Sequence, residues 1–373
     1  MERNIQMVDL KAQYAGIREE VQEGLMEVLE SCAFINGPAV QDFKRDLGEY
    51  LDVSHVIPCA NGTDALQLAL MALDLEPGDE VIVPSFTYVA TTEVIALLGL
   101  RPKFVEVDER TFNIDVNKIE DVITDRTRAI MPVHLFGQSA DMEPLMGIAD
   151  KHDLYVIEDN AQAIGAEYVY PDGKRQKTGT IGHIGCTSFY PSKNLGAYGD
   201  AGAIMTNDDE LGQKISMMAN HGQSKRYYHD LIGVNSRLDS FQAVVLNAKL
   251  KRLDEYNKRR QQAAGTYDQL LNAVDTLVLP LRAPYSTHVF HQYTLLAEDR
   301  DGLAEFLSNE GIPHMIYYPV PVHKQKAYSL WYTNEDLTTT ERIADRVISL
   351  PMHSELKEDD QIYITEKIKS FYQ

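Results

Sequence analysis

Short β-rich runs alternate with helical patterns between about residues 55 and 210, and this order constrains the fold more than any other feature of the chain. Parallel strands need a long crossover between them, which is usually a helix. The alternation therefore predicts an α/β fold, in which a mostly parallel sheet lies between helices. The predicted strands are DEVIVPSF (79–86), RPKFVEVD (101–108), RAIMPVHLFG (128–137), LYVIEDNAQAIGA (154–166) and GAIMTND (202–208).

The C-terminal part of the chain follows a different pattern. Residues 240–271 predict one long amphipathic helix that leads out of the α/β region. From about residue 275 onward come a strand-like run (288–297), a helical run (300–311) and a mixed segment, and this order predicts a small α+β domain. Since 373 residues can bury two cores, we expect an N-terminal segment and large domain over residues 1–250 and a small domain over residues 251–373.

Charge and cysteine content argue against several classes of protein. The net charge of −21 opposes non-specific binding to nucleic acid, because that binding depends on neutralised phosphates. Cys32, Cys59 and Cys186 are odd in number and lack C-x-x-C spacing, so they indicate neither a disulfide framework nor a zinc site. No apolar run follows the charges at the N-terminus, and none approaches the roughly 20 residues of a membrane span. We therefore expect a cytoplasmic protein without nucleic-acid or membrane partners and without a metal.

An acid and a lysine at predicted strand ends carry the strongest functional signal. Ligands of open α/β sheets bind beyond the carboxyl ends of the strands. Asp159 follows an apolar strand and should be partly desolvated, so it needs a cationic or hydrogen-bonding partner. Lys193 stands between an aromatic run and a glycine-rich stretch, which fits a solvated surface lysine poorly. Pyridoxal 5'-phosphate (PLP) uses both groups, the lysine as its Schiff-base partner and the acid at its pyridinium nitrogen.

The other strand ends offer ligands for the rest of such a cofactor. Gly62 and Thr63 begin a predicted helix, where backbone N–H groups bind phosphate, and the hydroxyls of Thr63 and Ser188 add donors. Tyr88 offers an aromatic ring that could lie against the cofactor. Each residue alone has a plainer explanation, because a strand-end acid can cap a helix, Asn-Gly is a generic turn and a tyrosine can simply pack. Their joint occurrence in one α/β region favours PLP.

Seven segments together resemble the DegT/StrS-type sugar-nucleotide aminotransferases, which are PLP enzymes of the aspartate aminotransferase fold (fold type I). The resemblance extends from about Asp9 to Pro351. Its segments are NGPAVQDFKRDLGEYL, NGTDALQLAL, PGDEVIVPSFTYVAT, DNAQAIGA, SFYPSKNLGAYGDAGA, HGQ and GVNSRLDSFQAVV. It implies a mostly parallel seven-stranded sheet between helices plus a small C-terminal α+β domain. Within the family, the chain is similar to the 3-aminotransferases of UDP-2-acetamido-2-deoxy-3-oxo-glucuronate.

The resemblance also implies roles for individual residues. Lys193 matches the Schiff-base lysine, Asp159 the partner of the pyridinium nitrogen and Gln162 the neighbour of the ring oxygen O3'. The other implied cofactor ligands are Tyr88 as the stacking ring, Gly62, Thr63 and Ser188 at the phosphate, and Asn235 at the phosphate of the neighbouring subunit in an obligate homodimer. The implied sugar-nucleotide contacts are Phe34, Ser192, Arg237, Tyr317 and Tyr318. The guanidinium of Arg237 suits a carboxylate or pyrophosphate, whereas Tyr317 stands where the uronate enzymes carry a histidine.

The implied reaction transfers an amino group from L-glutamate to a keto-sugar nucleotide, for surface polysaccharides such as the O-antigen of lipopolysaccharide. Alternative substrates are 3- or 4-keto-6-deoxyhexoses linked to dTDP or another nucleoside diphosphate. Family members that are dehydratases replace the lysine with histidine, so Lys193 argues against that class. A PLP-binding regulator without turnover is a further alternative. An NAD-dependent oxidoreductase is disfavoured because no G-x-G-x-x-G follows an early strand.

Other polar motifs receive structural interpretations. His288 and His291 form H-x-x-H without a further ligand at metal spacing, so we expect them to pair on a strand or turn. His183 and His221 are expected to be hydrogen-bonding loop residues. The basic aromatic stretch Ser224–His229 has two interpretations, as a contact to a nucleotide diphosphate or as a solvated loop.

Overall fold

Residues 4–332 and 335–373 are described by the computed structural model, and strands and helices alternate along them. The strands are β1 (His55–Cys59), β2 (Glu80–Pro84), β3 (Arg101–Val105), β4 (Thr127–Ile130), β5 (Tyr155–Asp159), β6 (Glu167–Val169), β7 (Arg175–Lys177), β8 (Ile184–Ser188), β9 (Gly202–Thr206), β10 (Gln223–Lys225), β11 (Tyr228–His229), β12 (Leu277–Val278), β13 (Tyr293–Ala297) and β14 (Val347–Leu350). The helices are α1 (Leu10–Ala15), α2 (Arg18–Ser31), α3 (Pro38–Leu51), α4 (Gly62–Ala72), α5 (Ala90–Leu97), α6 (Met142–His152), α7 (Asp209–Met218), α8 (Ser240–Leu250), α9 (Leu253–Leu271), α10 (Arg300–Asn309), α11 (Thr338–Arg346) and α12 (Glu358–Phe371).

Seven strands of the described chain form one sheet in the order β1-β9-β8-β5-β4-β2-β3. Neighbouring strands from β8 across to β3 are parallel. Strand β9 is antiparallel to both of its neighbours, β1 and β8. The predicted α/β fold with a mostly parallel seven-stranded sheet is therefore confirmed.

Successive residues of the strands bury two separate apolar layers. On β2, Val81 and Val83 pack in the cluster that contains α4 and α5, whereas Ile82 packs with α6 on the opposite face. On β9, Ile204 joins the first cluster, and Met205 packs with α3 and α8. Because helices cover both faces, the strand ends are where polar side chains of the sheet can meet a ligand.

The predicted single helix over residues 240–271 was wrong, since the structure has two helices, α8 and α9. Their junction is at Lys251 and Arg252, and Arg252 has φ −116° and ψ 1°, which is not helical. The side chains of both residues form ion pairs with Glu20 on α2, at 2.7 and 2.9 Å. The apolar period continues across this two-residue break, so the pattern alone could not reveal it.

Two strands of the central sheet were not among the predicted strands. Strand β1 contains Pro58, and β8 contains Gly185, and both residue types weaken the usual strand pattern. A Cβ on Gly185 would lie 1.9 Å from the carbonyl oxygen of Gly179, so the neighbouring chain passes too close for any side chain. The residue that weakened the prediction is thus one that the packing of β8 requires.

The C-terminal part has its own small sheet and core. Strands β12, β13 and β14 form an antiparallel sheet in that order. Residues of this sheet pack with α9, α10 and α12 in one apolar cluster, which includes Tyr267, Leu295, Leu303 and Ile364. The strand and helix expected within residues 288–311 are present as β13 and α10. The domain boundary after residue 250 stays a prediction.

Candidate active site

The parallel strands bring the predicted cofactor residues to one edge of the sheet. Strand β5 ends at Asp159, and the adjacent β8 ends at Ser188, five residues before Lys193. Strand β1 ends just before Gly62, the first residue of α4. Because β9 returns antiparallel from the same edge, the segment that carries Lys193 connects two neighbouring strands.

Asp159 is a buried carboxylate that is held on both oxygens. It is 5% exposed. Its Oδ2 accepts a 2.8 Å hydrogen bond from the hydroxyl of Thr91, and its Oδ1 accepts a 3.1 Å bond from the N–H of Ala161. Burial raises the pKa of Asp159, although these hydrogen bonds and the charge of Lys193 act against that rise. A cationic ring nitrogen beside it would favour the ionised form.

Lys193 is a partly buried amine whose ordinary charge is disfavoured. Burial lowers its pKa from 10.5 to about 8, and the negative charge of Asp159 offsets only part of this effect. Within residues 4–332 and 335–373 its Nζ donates no hydrogen bond. Its backbone is fixed in a tight turn, because the N–H of Lys193 bonds to the carbonyl of Tyr190, and a Cβ on Gly196 would lie 2.3 Å from the carbonyl oxygen of Pro191. The uncharged amine, which is the nucleophilic form, therefore forms at lower pH than it does for an ordinary lysine.

The first turn of α4 lies directly against the end of β8. The side chain of Asn61 caps this helix by accepting a 2.8 Å hydrogen bond from the N–H of Asp64. A Cβ on Gly62 would lie 2.6 Å from Cβ of Ser188, so only glycine permits this approach. The N–H groups of Gly62 and Thr63 belong to the first turn and have no acceptor within the helix. The pair of segments therefore offers an anion site with the Ser188 hydroxyl beside it.

One amide, Gln162, and two tyrosine rings, Tyr88 and Tyr318, form another side of the site. The Nε2 of Gln162 donates to the hydroxyl of Tyr318 at 3.1 Å, and its Oε1 accepts from the N–H of Phe136 at 2.7 Å. The ring of Tyr88, which is 55% exposed, lies 6.1 Å from that of Tyr318. Burial raises the pKa of both Tyr317 and Tyr318, so both phenols stay protonated near neutral pH. The structure thus brings residues of the C-terminal part to the acid-bearing loop.

A second group of predicted ligands lies beside β1 and α8 and consists of Phe34, Asn235 and Arg237. Arg237 donates to Oδ1 of Asn220 at 3.2 Å and lines a cavity of about 570 Å³ together with residues of β1 and α7. The ring of Phe34 contacts that of Phe241 on α8. Asn235 is exposed, and its backbone pairs with that of Asn220. In the described parts of the chain, none of the hydrogen bonds or ring contacts of these three residues reaches Lys193, Asp159 or Gln162.

Sequence reasoning missed a buried pair next to the predicted acid. Glu158 is completely buried and accepts hydrogen bonds from the N–H groups of Gly179, Ile181 and Gly182 at 2.6 to 2.8 Å. It also bonds to Nε2 of His134 at 2.8 Å. Because successive strand residues face opposite ways, these bonds fix the end of β5 with Asp159 pointing away from Glu158. Two consecutive acids in an apolar strand were the available signal.

The histidines for which no catalytic role was predicted lie in structural surroundings. The Nδ1 of His288 accepts from the N–H of Phe290 at 3.0 Å, and the two rings stack 3.8 Å apart. The Nδ1 of His183 accepts from the N–H of Val156 at 2.9 Å. His291 is buried and its Nδ1 has no partner among the described residues. Burial, reinforced by the charges of Lys193 and Arg260, lowers its pKa, so His291 is neutral.

These residues fit PLP on the structure's own geometry. A buried carboxylate, an amine of lowered pKa, a helix N-terminus pressed against a hydroxyl and an exposed aromatic ring lie around the same strand ends. The described residues contain no cluster of three or more His, Cys, Asp or Glu side chains that could hold a metal ion. In the same residues, no helix is both long and apolar enough to cross a bilayer.

Known proteins give the same picture. The profile of the DegT/DnrJ/EryC1/StrS aminotransferase family matches residues 15–369. The chain is 45% identical over 365 residues to the UDP-N-acetyl-3-dehydro-alpha-D-glucosamine 3-aminotransferase of Acidithiobacillus ferrooxidans, covering 98% of this chain and 97% of the relative. It is 44% identical over 349 residues to the UDP-2-acetamido-2-deoxy-3-oxo-D-glucuronate aminotransferase of Pseudomonas aeruginosa, covering 94% and 95%.

Two further comparisons extend this result. A protein of Geobacillus stearothermophilus named pleiotropic regulatory protein is 46% identical over 372 residues, which cover 99% of each chain. The crystal structure of NtdA from Bacillus subtilis with the bound cofactor PMP has a TM-score of 0.87 and 32% identity, covering 98% of this chain and 83% of NtdA. PMP is the amino form of PLP, so a relative with this fold holds the predicted cofactor.

Proposed function

Because the chain belongs to the DegT/DnrJ/EryC1/StrS aminotransferase family, and is therefore a PLP-dependent aminotransferase, we propose that Lys193 and Asp159 serve the cofactor in the transfer of an amino group from L-glutamate to a UDP-linked 3-keto sugar. The observation that carries the proposal is that the amine of Lys193 has a pKa of about 8 and interacts electrostatically with the buried carboxylate of Asp159. A surface lysine would have neither property.

Each side chain has a definite task in this proposal. When bound, PLP supplies an electron sink for the substrate carbon whose proton is moved. Asp159, oriented by Thr91 and the Ala161 N–H, would keep a proton on the ring nitrogen. Lys193 would bind the cofactor covalently and, as a free amine, would accept and return the proton. The first turn of α4 and Ser188 would hold the phosphate, and Tyr88 would supply the aromatic contact to the ring.

The substrate proposal rests on the relatives and on the residues near Lys193. Two relatives act on UDP-linked 3-oxo sugars, one a glucosamine and one a glucuronate derivative. We propose UDP-2-acetamido-2-deoxy-3-oxo-glucuronate, a precursor for surface polysaccharide such as O-antigen, with Ser192, Tyr317 and Tyr318 as contacts. Arg237 would bind the carboxylate or the pyrophosphate through its fork. The alternative is a 3- or 4-keto-6-deoxyhexose linked to dTDP or another nucleoside diphosphate.

A homodimer would unite the two groups of predicted residues. Phe34, Asn235 and Arg237 make their side-chain and backbone contacts beside β1 and α8, away from the lysine of the same chain. Asn235 is exposed and its side chain makes no hydrogen bond in the described residues. We propose that a second copy receives Asn235 at its phosphate site, so that each of two cytoplasmic sites draws on both chains.

Mass spectrometry of a coupled reaction tests the function. The holoenzyme is mixed with L-glutamate and each candidate keto-sugar nucleotide, and an amino product appears together with 2-oxoglutarate for the true substrate. Lys193→Ala should abolish product and the visible absorbance of lysine-linked PLP. Binding of PLP without amination of any nucleotide sugar would instead support the regulator alternative, and unchanged turnover in Lys193→Ala would refute the assignment of the lysine.

A further inference from the structure

Two buried amides lie directly behind the lysine turn. Asn194 follows Lys193 in sequence, and Asn257 belongs to α9; they are 3% and 5% exposed. The Nδ2 of Asn194 donates to Oδ1 of Asn257 at 2.7 Å and to the carbonyl of Val289 at 3.0 Å. The residue after the lysine is therefore tied to the long helix and to a segment of the C-terminal part.

The same Asn257 also holds the loop that carries the acid. Its Nδ2 donates to the carbonyl of Ile164 at 3.2 Å, and Ile164 lies five residues after Asp159. Gly165 makes this approach possible, because it has φ +85° and a Cβ there would lie 2.6 Å from Nδ2 of Asn257. The side-chain amide of Asn257 thus joins the two segments. Its oxygen accepts from Asn194 in the lysine turn, and its nitrogen donates to Ile164 in the acid loop.

Two neighbouring buried basic side chains form further hydrogen bonds around this arrangement. Lys249 on α8 is fully buried and donates to the carbonyl of Gly196 at 2.7 Å, three residues after Lys193. Arg260, one turn beyond Asn257 on α9, donates to the carbonyls of Phe290, His291 and Met352 at 3.1 to 3.3 Å. These bonds fix both the far side of the lysine turn and the segment that carries Val289.

We propose that Asn257 is a positioning residue for transamination, which sets the place of Lys193 relative to Asp159 through Asn194 and Ile164. The inference rests on the proposed roles of Lys193 and Asp159. Proton transfer by a lysine depends on its placement, and a displacement of about 1 Å can cost on the order of 100-fold in rate. The side chain of Asn257 acts through two hydrogen bonds and touches neither reacting group.

The test compares Asn257→Ala with Gln361→Ala, a matched control. Gln361 on α12 is also buried, and its Nε2 donates at 2.7 Å to the carbonyl of Ala263, another residue of α9. Both variants lose a buried amide that links α9 to another segment, but only Asn257→Ala loses a link to the lysine turn. The first readout needs no cofactor: the apoprotein is labelled with acetic anhydride across pH, and the labelling of Lys193 is measured by peptide mass spectrometry against the exposed Lys151.

We expect Asn257→Ala to change the labelling rate of Lys193 several-fold and to lower kcat about 10- to 100-fold, with KM for the sugar nucleotide nearly constant. Gln361→Ala should lower the melting temperature without either change. If both variants alter only the melting temperature, the inference is wrong. If Asn257→Ala does not fold, Asn194→Ala carries the same expectation and the same refutation.

A double variant and Lys193→Ala complete the test. Adding Asn194→Ala to Asn257→Ala should change labelling by less than the product of the two single effects, because the residues share one bond. Full additivity would refute the route through Asn194. Activity that survives in Lys193→Ala would overturn the proposed function itself, whereas an inactive Lys193→Ala with an Asn257→Ala that resembles its control would overturn only this inference.

Discussion

The hydroxyl of Thr91 donates a 2.8 Å hydrogen bond to Oδ2 of Asp159, and it joins the first turn of α5 to the last residue of β5. The two residues are 68 positions apart in the chain. Both are buried, so the bond stabilises the ionised carboxylate where water cannot. It is one of the few contacts that lower the pKa of Asp159 against the effect of burial.

Replacing Thr91 by valine should weaken the site without changing its shape. The pKa of Asp159 rises further when the donor is lost, so the acidic limb of the activity profile should move to higher pH, and PLP affinity should fall about threefold to tenfold. Thr92→Val is the matched control, because the Thr92 hydroxyl is buried without a partner in the described residues. Equilibrium dialysis of PLP and a pH–rate profile measure the effect; equal behaviour of the two variants would contradict it.

Lys193 in the apoprotein should titrate near pH 8 rather than near 10.5. Competitive acetylation across pH should therefore show a midpoint for Lys193 well below that of surface lysines. Because Asp159 raises the pKa of Lys193 while burial lowers it, Asp159→Asn should move the midpoint further down. A midpoint above 10 in the unmodified chain would contradict the burial of this amine.

Gly62→Ala should damage cofactor binding selectively. The added Cβ would lie 2.6 Å from Cβ of Ser188, so the helix and the strand end must separate at the phosphate site. We expect PLP affinity to fall about tenfold or more, since an anion site depends on the placement of its N–H groups. Gly147→Ala on α6 meets no atom within 4 Å and should instead stabilise the fold by about 0.5 to 1 kcal/mol. Fluorescence titration with PLP and thermal melting distinguish the two, and a normal affinity in Gly62→Ala would rule out the phosphate assignment.

Glu158→Gln should destabilise the fold more than a surface change of the same type. An amide cannot accept three N–H bonds and the bond from His134 as a carboxylate does, so a loss of about 3 kcal/mol is expected. Glu120→Gln removes an exposed ion pair with Lys151 and should shift the unfolding midpoint far less. Urea unfolding measures both, and similar midpoints would show that the buried carboxylate contributes little.

Arg237→Lys should separate binding of the nucleotide sugar from chemistry. A lysine keeps the charge but loses the bidentate fork, so KM for a sugar nucleotide should rise about tenfold while kcat changes little. Lys44→Gln, which alters another cation of the same cavity, is the comparison. Steady-state kinetics with the preferred substrate decide, and an unchanged KM would remove Arg237 from the substrate site.

Sequence patterns located the acid and the lysine because their positions follow from local rules. Asp159 is the second of two acids that follow an apolar run, and Lys193 precedes a glycine-rich turn, so both are visible within a few neighbouring letters. Thr91, His134 and Asn257 were not found, because each acts on a residue more than 20 positions away. Only the three-dimensional packing of α5, β5 and α9 brings these pairs together.

The same distinction explains the error over α8 and α9. A helical period describes which face is apolar, and it continues unbroken past Lys251 and Arg252. At the break, the side chains of both residues pair with Glu20, which lies more than 200 residues earlier and is invisible to a local pattern. The roles implied by family resemblance for Phe34, Asn235 and Arg237 likewise involve partners that no local pattern contains, and they stay predictions.

The reversed direction of β9 has a consequence for motion. Lys193 lies on a connection of 13 residues that is clamped at each end by hydrogen-bonded neighbours in one sheet, β8 and β9. A crossover helix could move as a unit, but this segment cannot be displaced as a whole without breaking the hydrogen bonds between β8 and β9. Backbone hydrogen bonds also hold the segment itself, from the N–H of Lys193 to Tyr190 and from the N–H of Ala197 to Phe189. We therefore expect a released amine to move mainly by rotation about the four methylenes of its own side chain.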